Sequence, residues 1–426
     1  MELLVADFIQ SIINRWEWVT LSIPVASAVI GWGTNVLALK MTFYPLEFKG
    51  ISIRSIKPVG WSGFPNLGWQ GIIPSRAVDM ADKSVDLITT KLIDTKEQFA
   101  NIDPKVLVQK MEGSMLDITR RITDEAVSKY VPIWKLFPKK RKEVIYKKVA
   151  KEVPHIIEGT VIEVKNKITE VFDLKKMAVE QLTKDKTLLN RIFLEVGDQE
   201  FRFIEHSGIY FGFLFGIFQM FLFLVYNAGW QLPVGGLLVG WLTNVLALRM
   251  IFSPVNPRRF LFWKVQGLFI KRQREVAREY ARLVSDNIMT IPNIFDAMFN
   301  SHTADKLFSI IERHINEGID QSAGFSSSLI KFTSGTRSYD DMKRFACERM
   351  IEEIPKQIHL FSDYVKQALD IERTLESKMS SLAPEDFVGF LRPVFQEDEW
   401  RLIAVGTILG GVAGLIQILI MSLFFW

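Results

Sequence analysis

Residues 24–45 read PVASAVIGWGTNVLALKMTFYP, and residues 233–254 read PVGGLLVGWLTNVLALRMIFSP. Thirteen of the twenty-two positions are identical, and most of the others exchange apolar for apolar or Lys for Arg. Each copy is an apolar helix carrying a polar pair, Thr34-Asn35 or Thr243-Asn244. Each runs into one cation, Lys40 or Arg249, and stops at a proline, Pro45 or Pro254. Further on, Gln70-Gly71-Ile72 with Arg76 is echoed by Gln266-Gly267-Leu268 with Arg272. The chain therefore reads as an internal duplication with halves of about 200 residues.

Composition says where such helices belong. Of 426 residues 48% are hydrophobic, with 32 Phe and 11 Trp, yet 23% are charged. That mixture suits a few membrane spans joined to large charged domains. Four segments approach the roughly 20 apolar residues that a bilayer crossing needs. These are 18–39, 207–227, 231–250 and 402–425. The expected fold class is mainly α: a helical integral membrane protein with four transmembrane helices and two tandem halves. The expected division is an interfacial segment at 1–17, a first span with its motif at 18–45, and a helical cytoplasmic domain at 46–206. A second span at 207–227 and a third with its motif at 231–254 follow, then a second helical domain at 255–401 and a last span at 402–426.

An even number of spans per half makes the two motif helices parallel, related by an axis along the membrane normal. Near the spans, Lys40, Lys49, Arg54, Lys57, Arg202, Arg249, Arg258, Arg259, Lys264 and Arg401 lie on the domain side, against only Arg15 on the other. The positive-inside rule then puts the helical domains in the cytoplasm and both termini outside. Trp16, Trp18, Trp230 and Trp426 would mark the outer interface, and Trp61, Trp263 and Trp400 the inner one. Between the spans, residues 45–75 read as a structured loop with an extended piece at 51–56. Helices are expected near 104–130, 139–172, 175–192, 302–318, 339–374 and 384–395, and Ser322–Ser334 reads as a loop.

The sharpest chemical feature is the amide pair. An unpaired amide is costly in lipid, so Asn35 and Asn244 should face protein or water. Ser27, Gly31 and Asn35 share one helix edge, as do Gly236, Gly240 and Asn244, a spacing of small residues that lets helices touch. Three outcomes fit. The asparagines clasp the two halves, or two protomers; or Thr34, Asn35, Thr243 and Asn244 line a solute or ion site; or these residues contact lipid head groups. Lys40 and Arg249 suit helix C-termini and anionic headgroups. Arg76 and Arg272 suit an ion pair, or a phosphate or carboxylate from the opposite half. The basic run Lys135, Lys139, Lys140, Arg141, Lys142, Lys147, Lys148 and Lys151 is a solvated face or binds an acidic lipid or partner.

Other classes are disfavoured. The net charge of +4 and the lack of a nucleic-acid motif argue against nucleic acid. One cysteine, Cys347, excludes an intrachain disulfide, and five scattered histidines form no HExxH motif. No Walker, GxGxxG or GxSxG pattern occurs, so neither an enzyme, a cofactor nor a metal is expected.

The motif G-W-x-T-N-V-L-A-L-(K/R)-M-x-F-x-P, with Gln-Gly and Arg76 or Arg272 after it, resembles the domain of unknown function 445 family of YheB/YjiN-like bacterial membrane proteins, over nearly the whole chain. The resemblance implies an inner-membrane protein with long helical regions, and carries no activity with it. The expected function is a non-enzymatic inner-membrane scaffold or binding protein that presents paired helical domains to a partner. Membrane lipid, a second copy of the chain or another protein would be that partner. The alternative is a transporter or channel at the repeat interface. The absence of Asp, Glu or His near mid-span favours the former.

Overall fold

A computed structural model describes residues 18–51, 67–226, 228–260, 263–323, 335–389 and 399–425. The expected interfacial segment 1–17, the extended piece beyond Ile51 and most of the loop at 322–334 lie outside the described residues, as do Trp16, Trp61 and Trp426. The described residues are mainly α-helical and form two compact units. One comprises residues 1–87, 181–280 and 376–426; the other comprises 88–180 and 281–375. The sequence divides the polar regions into two successive domains, whereas the structure gathers the middle of both regions into one unit. Apolar stripes on α-helices specify that a face is buried, not which helix buries it.

The first unit is built on four long helices: α1 (Trp18–Phe43), α10 (Asp198–Val225), α11 (Gln231–Phe252) and α19 (Glu399–Phe425). All four are long and apolar enough to cross a membrane. Their surface is the inverse of a water-soluble bundle. Tyr210, Leu214, Phe218, Phe221, Trp241 and Leu415 face outward, each more than two-fifths exposed, while Asn35, Thr243 and Asn244 are fully buried. With hydrocarbon as the solvent, apolar side chains gain nothing by turning inward, and amides lose much by turning outward.

The helix α10 starts nine residues before the expected span, at Asp198, and α19 starts three before, at Glu399. Both carry acidic residues in the first turn, where the helix dipole favours them. The motif helices α1 and α11 end at Phe43 and Phe252, just ahead of cis peptide bonds at Tyr44-Pro45 and Ser253-Pro254. Each then leads into a two-stranded hairpin: β1 (Lys49–Ile51) on β2 (Leu67–Trp69), and β3 (Arg258–Phe260) on β4 (Trp263–Val265). The short α2 (Ile72–Ser75) and α12 (Leu268–Lys271) follow the hairpins. After them come α3 (Ala77–Leu87) and α13 (Gln273–Asn287). Also in this unit is α9 (Lys186–Val196).

Among the described residues the second unit is built of helices: α4 (Thr95–Ala100), α5 (Pro104–Tyr130), α6 (Lys139–Asn166), α7 (Ile168–Val171), α14 (Ile291–Asn300), α15 (Ala304–Ala323), α16 (Thr336–Glu353) and α17 (Ile358–Leu369). Helix starts follow capping chemistry. Asp94 accepts from Lys96 N, and Asp103 accepts from Lys105 N with Pro104 at the first helical position. The expected helix 139–172 breaks at Lys167, and the expected 339–374 breaks twice. Pro355 lacks an N–H and produces a 3-10 turn at Ile354–Gln357; Asp370 turns left-handed (φ 41°) between α17 and α18 (Ile371–Ser380). The expected helix 175–192 divides at Asp185, which caps α9 after α8 (Leu174–Lys184).

Candidate functional site

In the first unit each motif helix pairs with the long helix that closes its own half. Asn35 Nδ2 donates to Ile204 O of α10 at 2.7 Å. One turn back, a methyl built on Gly31 would strike Gly208 O; two turns back, one built on Gly212 would strike Ser27 O at 2.5 Å. A methyl on Gly216 would meet Pro24 Cα at 2.6 Å. The order of these contacts makes α1 and α10 antiparallel. In the second pair Gly240 meets Gly406, Gly236 meets Gly410, and Gly414 meets Leu232 and Pro233, so α11 and α19 are antiparallel as well. With α10 and α11 joined by a short loop, α1 and α11 run the same way.

The expected clasp between Asn35 and Asn244 is not formed in this geometry: no hydrogen bond joins them. Asn244 Nδ2 turns back to Gly240 O of its own helix at 2.9 Å, with its amide against Gly406. The Oδ1 atoms of both asparagines are buried without a hydrogen-bond partner among the described residues. The hydroxyls of Thr34 and Thr243 bond to carbonyls of their own helices, Gly31 O at 3.1 Å and Val239 O at 2.8 Å. Gly31 and Gly240 thus do bring helices together, but each joins its motif helix to the return helix of its own half. The duplicated motif displays one wall of each contact. The other wall, Gly208-Gly212-Gly216 and Gly406-Gly410-Gly414, is visible only as a four-residue glycine spacing.

Lys40 and Arg249 are exposed at the ends of the motif helices. The Gln-Gly echo has a structural job. Gly71 N donates to Pro45 O at 2.9 Å and Gly267 N to Pro254 O at 3.0 Å, while Gln70 and Gln266 donate to Leu46 O and Val255 O. A side chain at either glycine would meet the backbone at the end of the span within 2.8 Å. Arg272 holds Glu200 through two 2.8 Å contacts and Glu275 through a third. Glu200 is 1% exposed and belongs to the other half of the chain, so this arginine takes a carboxylate across the halves. Burial works against the Arg272 charge, but the bonds to Glu275 and Glu200 outweigh it and raise its pKa. Arg76 lies 3.8 Å from Asp79 and has other partners besides.

The second unit contains a cavity of about 210 Å³ whose wall is almost wholly apolar. Leu107, Met111, Met115 and Ile118 of α5 form one side at helical spacing, and Val153, Ile156 and Val164 of α6 another; α14, α15 and α17 complete it with Met298, Ile311 and Phe361. From Leu107 to Thr119 the wall is about 18 Å long at ~1.5 Å per residue. At one end Lys165 Nζ donates to Ile102 O at 2.6 Å. At the other, Glu353 is held by Arg121 at 2.6 Å and Lys356 at 2.8 Å. Dry apolar cavities of ~150 Å³ accept a benzene-sized guest, and flexible methionines let the wall adapt. The sequence placed a helix near 104–130, but an apolar stripe that lines a cavity has the same period as one that fills a core. Among the described residues no three His, Cys, Asp or Glu side chains are grouped as metal ligands.

A four-helix bundle that buries glycine and amide and shows phenylalanine outward defines a helical integral membrane protein. The sequence is similar to a UPF0754 membrane protein of Bacillus pumilus, 27% identical over 175 residues, 40% of this chain and 43% of that protein. It is also similar to a UPF0754 membrane protein of Staphylococcus aureus strain Newman, 26% identical over 87 residues, 20% of this chain and 23% of the relative. The chain thus matches less than half the length of these relatives. No family model matches it, and no solved structure does. The relatives carry a different family label from domain of unknown function 445, so the resemblance stands at the level of bacterial membrane proteins.

Proposed function

We propose that this chain is a non-enzymatic membrane-embedded binding protein whose ligand is a lipid acyl chain held in the second unit. The observation that carries this is the apolar cavity between α5, α6 and α14 to α17. A protein with four spans has lipid at hand, and a chain drawn from the bilayer into an apolar slot avoids the roughly 0.8 kcal/mol per methylene that exposure to water would cost. The glycine-lined helix pairs support an anchoring role for the first unit, since their contact faces are backbone against backbone. The cation excess beside the span ends supports a bacterial inner-membrane location with the second unit cytoplasmic and both termini outside. Exposed Trp230 and Trp400, each at the start of a span, fit opposite interfaces in that topology. Membership of the 445 family rests on the duplicated motif.

The transporter reading is favoured by one feature, the two unpartnered Oδ1 atoms of Asn35 and Asn244, which are acceptors suited to a cation or a donor solute. Native mass spectrometry of the full chain in mild detergent tests the first reading. Wild type should carry a co-purified lipid, and Met115→Trp, which fills the slot, should lose it. An unchanged lipid complement in a folded Met115→Trp protein would refute acyl binding there. Proteoliposome flux that disappears in Asn35→Ala without loss of melting temperature would favour the transporter.

A further inference from the structure

In the second unit the hairpin of α5 and α6 ends in a turn, residues 131–138, that is built unlike a solvated loop. The turn is pegged from beneath. Trp134 is buried, and its Nε1 donates to Asp124 Oδ1 at 2.8 Å, as does Tyr146 Oη. Phe137 stacks on Trp134 at 5.6 Å between ring centroids, and Lys142 Nζ lies 5.0 Å over the indole. A turn held this firmly nevertheless presents Leu136 82% exposed and Ile133 54% exposed, with Val144 65% exposed in the second turn of α6. Apolar side chains on a rigid turn cannot escape water by rearranging.

Cations surround them. Lys135, Lys139, Lys140 and Arg141 are all exposed. The carboxylates of this end are engaged elsewhere, Asp124 with Lys142 and Glu143 with Arg120. Among the described residues none pairs with those four cations. A merely solvated face needs the cations but not the leucine.

We propose that this turn is a docking surface for an anionic phospholipid bilayer, with Ile133, Leu136 and Val144 inserting among the headgroups and Lys135, Lys139, Lys140 and Arg141 binding the phosphates. Basic residues near an anionic membrane add affinity one by one, and apolar side chains beside them convert surface attraction into insertion. An acidic protein would satisfy the cations, but the exposed Ile133 and Leu136 on the turn and Val144 on the adjoining helix match the packing defects of a headgroup layer better than a pocketed partner. The inference goes beyond acyl binding in the slot and does not depend on it.

The test uses the full chain with Cys347→Ser and Ile133→Cys. The thiol introduced on the turn is labelled with an environment-sensitive nitrobenzoxadiazole probe, and the protein is placed in nanodiscs. Discs of phosphatidylcholine are compared with discs containing phosphatidylglycerol, and each is challenged with vesicles of both compositions. That covers docking on its own bilayer and on a facing one. The expected result is a blue shift of the emission whenever phosphatidylglycerol is present, reversed by high salt. Neutralising Lys139, Lys140 and Arg141 to Gln should weaken vesicle binding about fivefold per charge. Leu136→Asp should abolish the shift with the cations intact, and helical melting of each variant guards against misfolding. No shift in any phosphatidylglycerol arm, or an equal shift with phosphatidylcholine alone, would overturn the proposal. So would binding only to an acidic protein added in place of vesicles.

Discussion

Two glycines on one helix, Gly31 and Gly33, give a controlled test of the helix contact. A methyl built on Gly31 falls against Gly208 O, 3.2 Å from Gly208 C and 3.4 Å from Gly212 Cα, all backbone atoms that no rotamer change can move. A methyl on Gly33 meets nothing within 4 Å. Gly31→Ala must therefore push α1 and α10 apart. A gap of ~0.5–1 Å forfeits a quarter to a half of each dispersion contact along the row, and overpacking of this kind costs about 1–3 kcal/mol. Ala improves the helix at both positions by at most ~1 kcal/mol. Gly31→Ala should thus be about 2 kcal/mol less stable than Gly33→Ala. Thermal and sodium dodecyl sulfate unfolding of the full chain in mild detergent measures it. Equal stability of the two variants would show that the helices do not meet at Gly31.

The asparagines should behave unequally. Asn35→Ala removes a bond between helices and should cost on the order of 1 kcal/mol, Asn244→Ala only a bond within its helix, and the double variant should be additive because the two share no bond; sub-additive melting would restore the direct clasp. Arg272→Ala should destabilise the first unit by about 3 kcal/mol by leaving Glu200 buried and uncompensated, and Glu200→Gln with Arg272→Gln should recover part of that in the same melting assay. In the second unit, Arg313, then Lys167 and His314, hold the Glu163 carboxyl at a pKa of about 2, well below the usual carboxylate range. A depressed carboxylate stabilises above its unfolded pKa and loses this as pH falls through the folded one. Wild type should therefore melt above Glu163→Gln at pH 6, and the two should converge near pH 2. Cys347 is 3% exposed, and burial first, then Glu312, pushes its thiol up to about 12; maleimide should label it only after unfolding.

Much of the first unit was legible because lipid imposes a severe rule: a span must satisfy its own backbone and shield its amides. Apolar length therefore located the four long helices, and the repeated Ser27-Gly31-Asn35 and Gly236-Gly240-Asn244 edges marked the contact faces. The partner of each face was not legible. A row of small residues states that something comes close, and the return helices carry their glycines in otherwise unrelated surroundings. The Glu200–Arg272 pair was half visible, in that an arginine after Gln-Gly asked for an anion but nothing local named it.

By itself the sequence determined the class of protein, the number and approximate place of its spans, and the turns at Pro45 and Pro254, because these depend on local composition and on backbone groups that must be satisfied nearby. Only the tertiary structure decided that each motif helix closes on its own half, that the middle stretches of both polar regions form a single unit, and that the α5 stripe lines a cavity where a filled core was equally compatible. Those outcomes depend on which faces meet across more than a hundred residues of chain, and hydrophobic attraction carries no address. The choice among partners is made by shape: glycine rows that admit a backbone, and methionine and isoleucine rows that meet without filling the space between them.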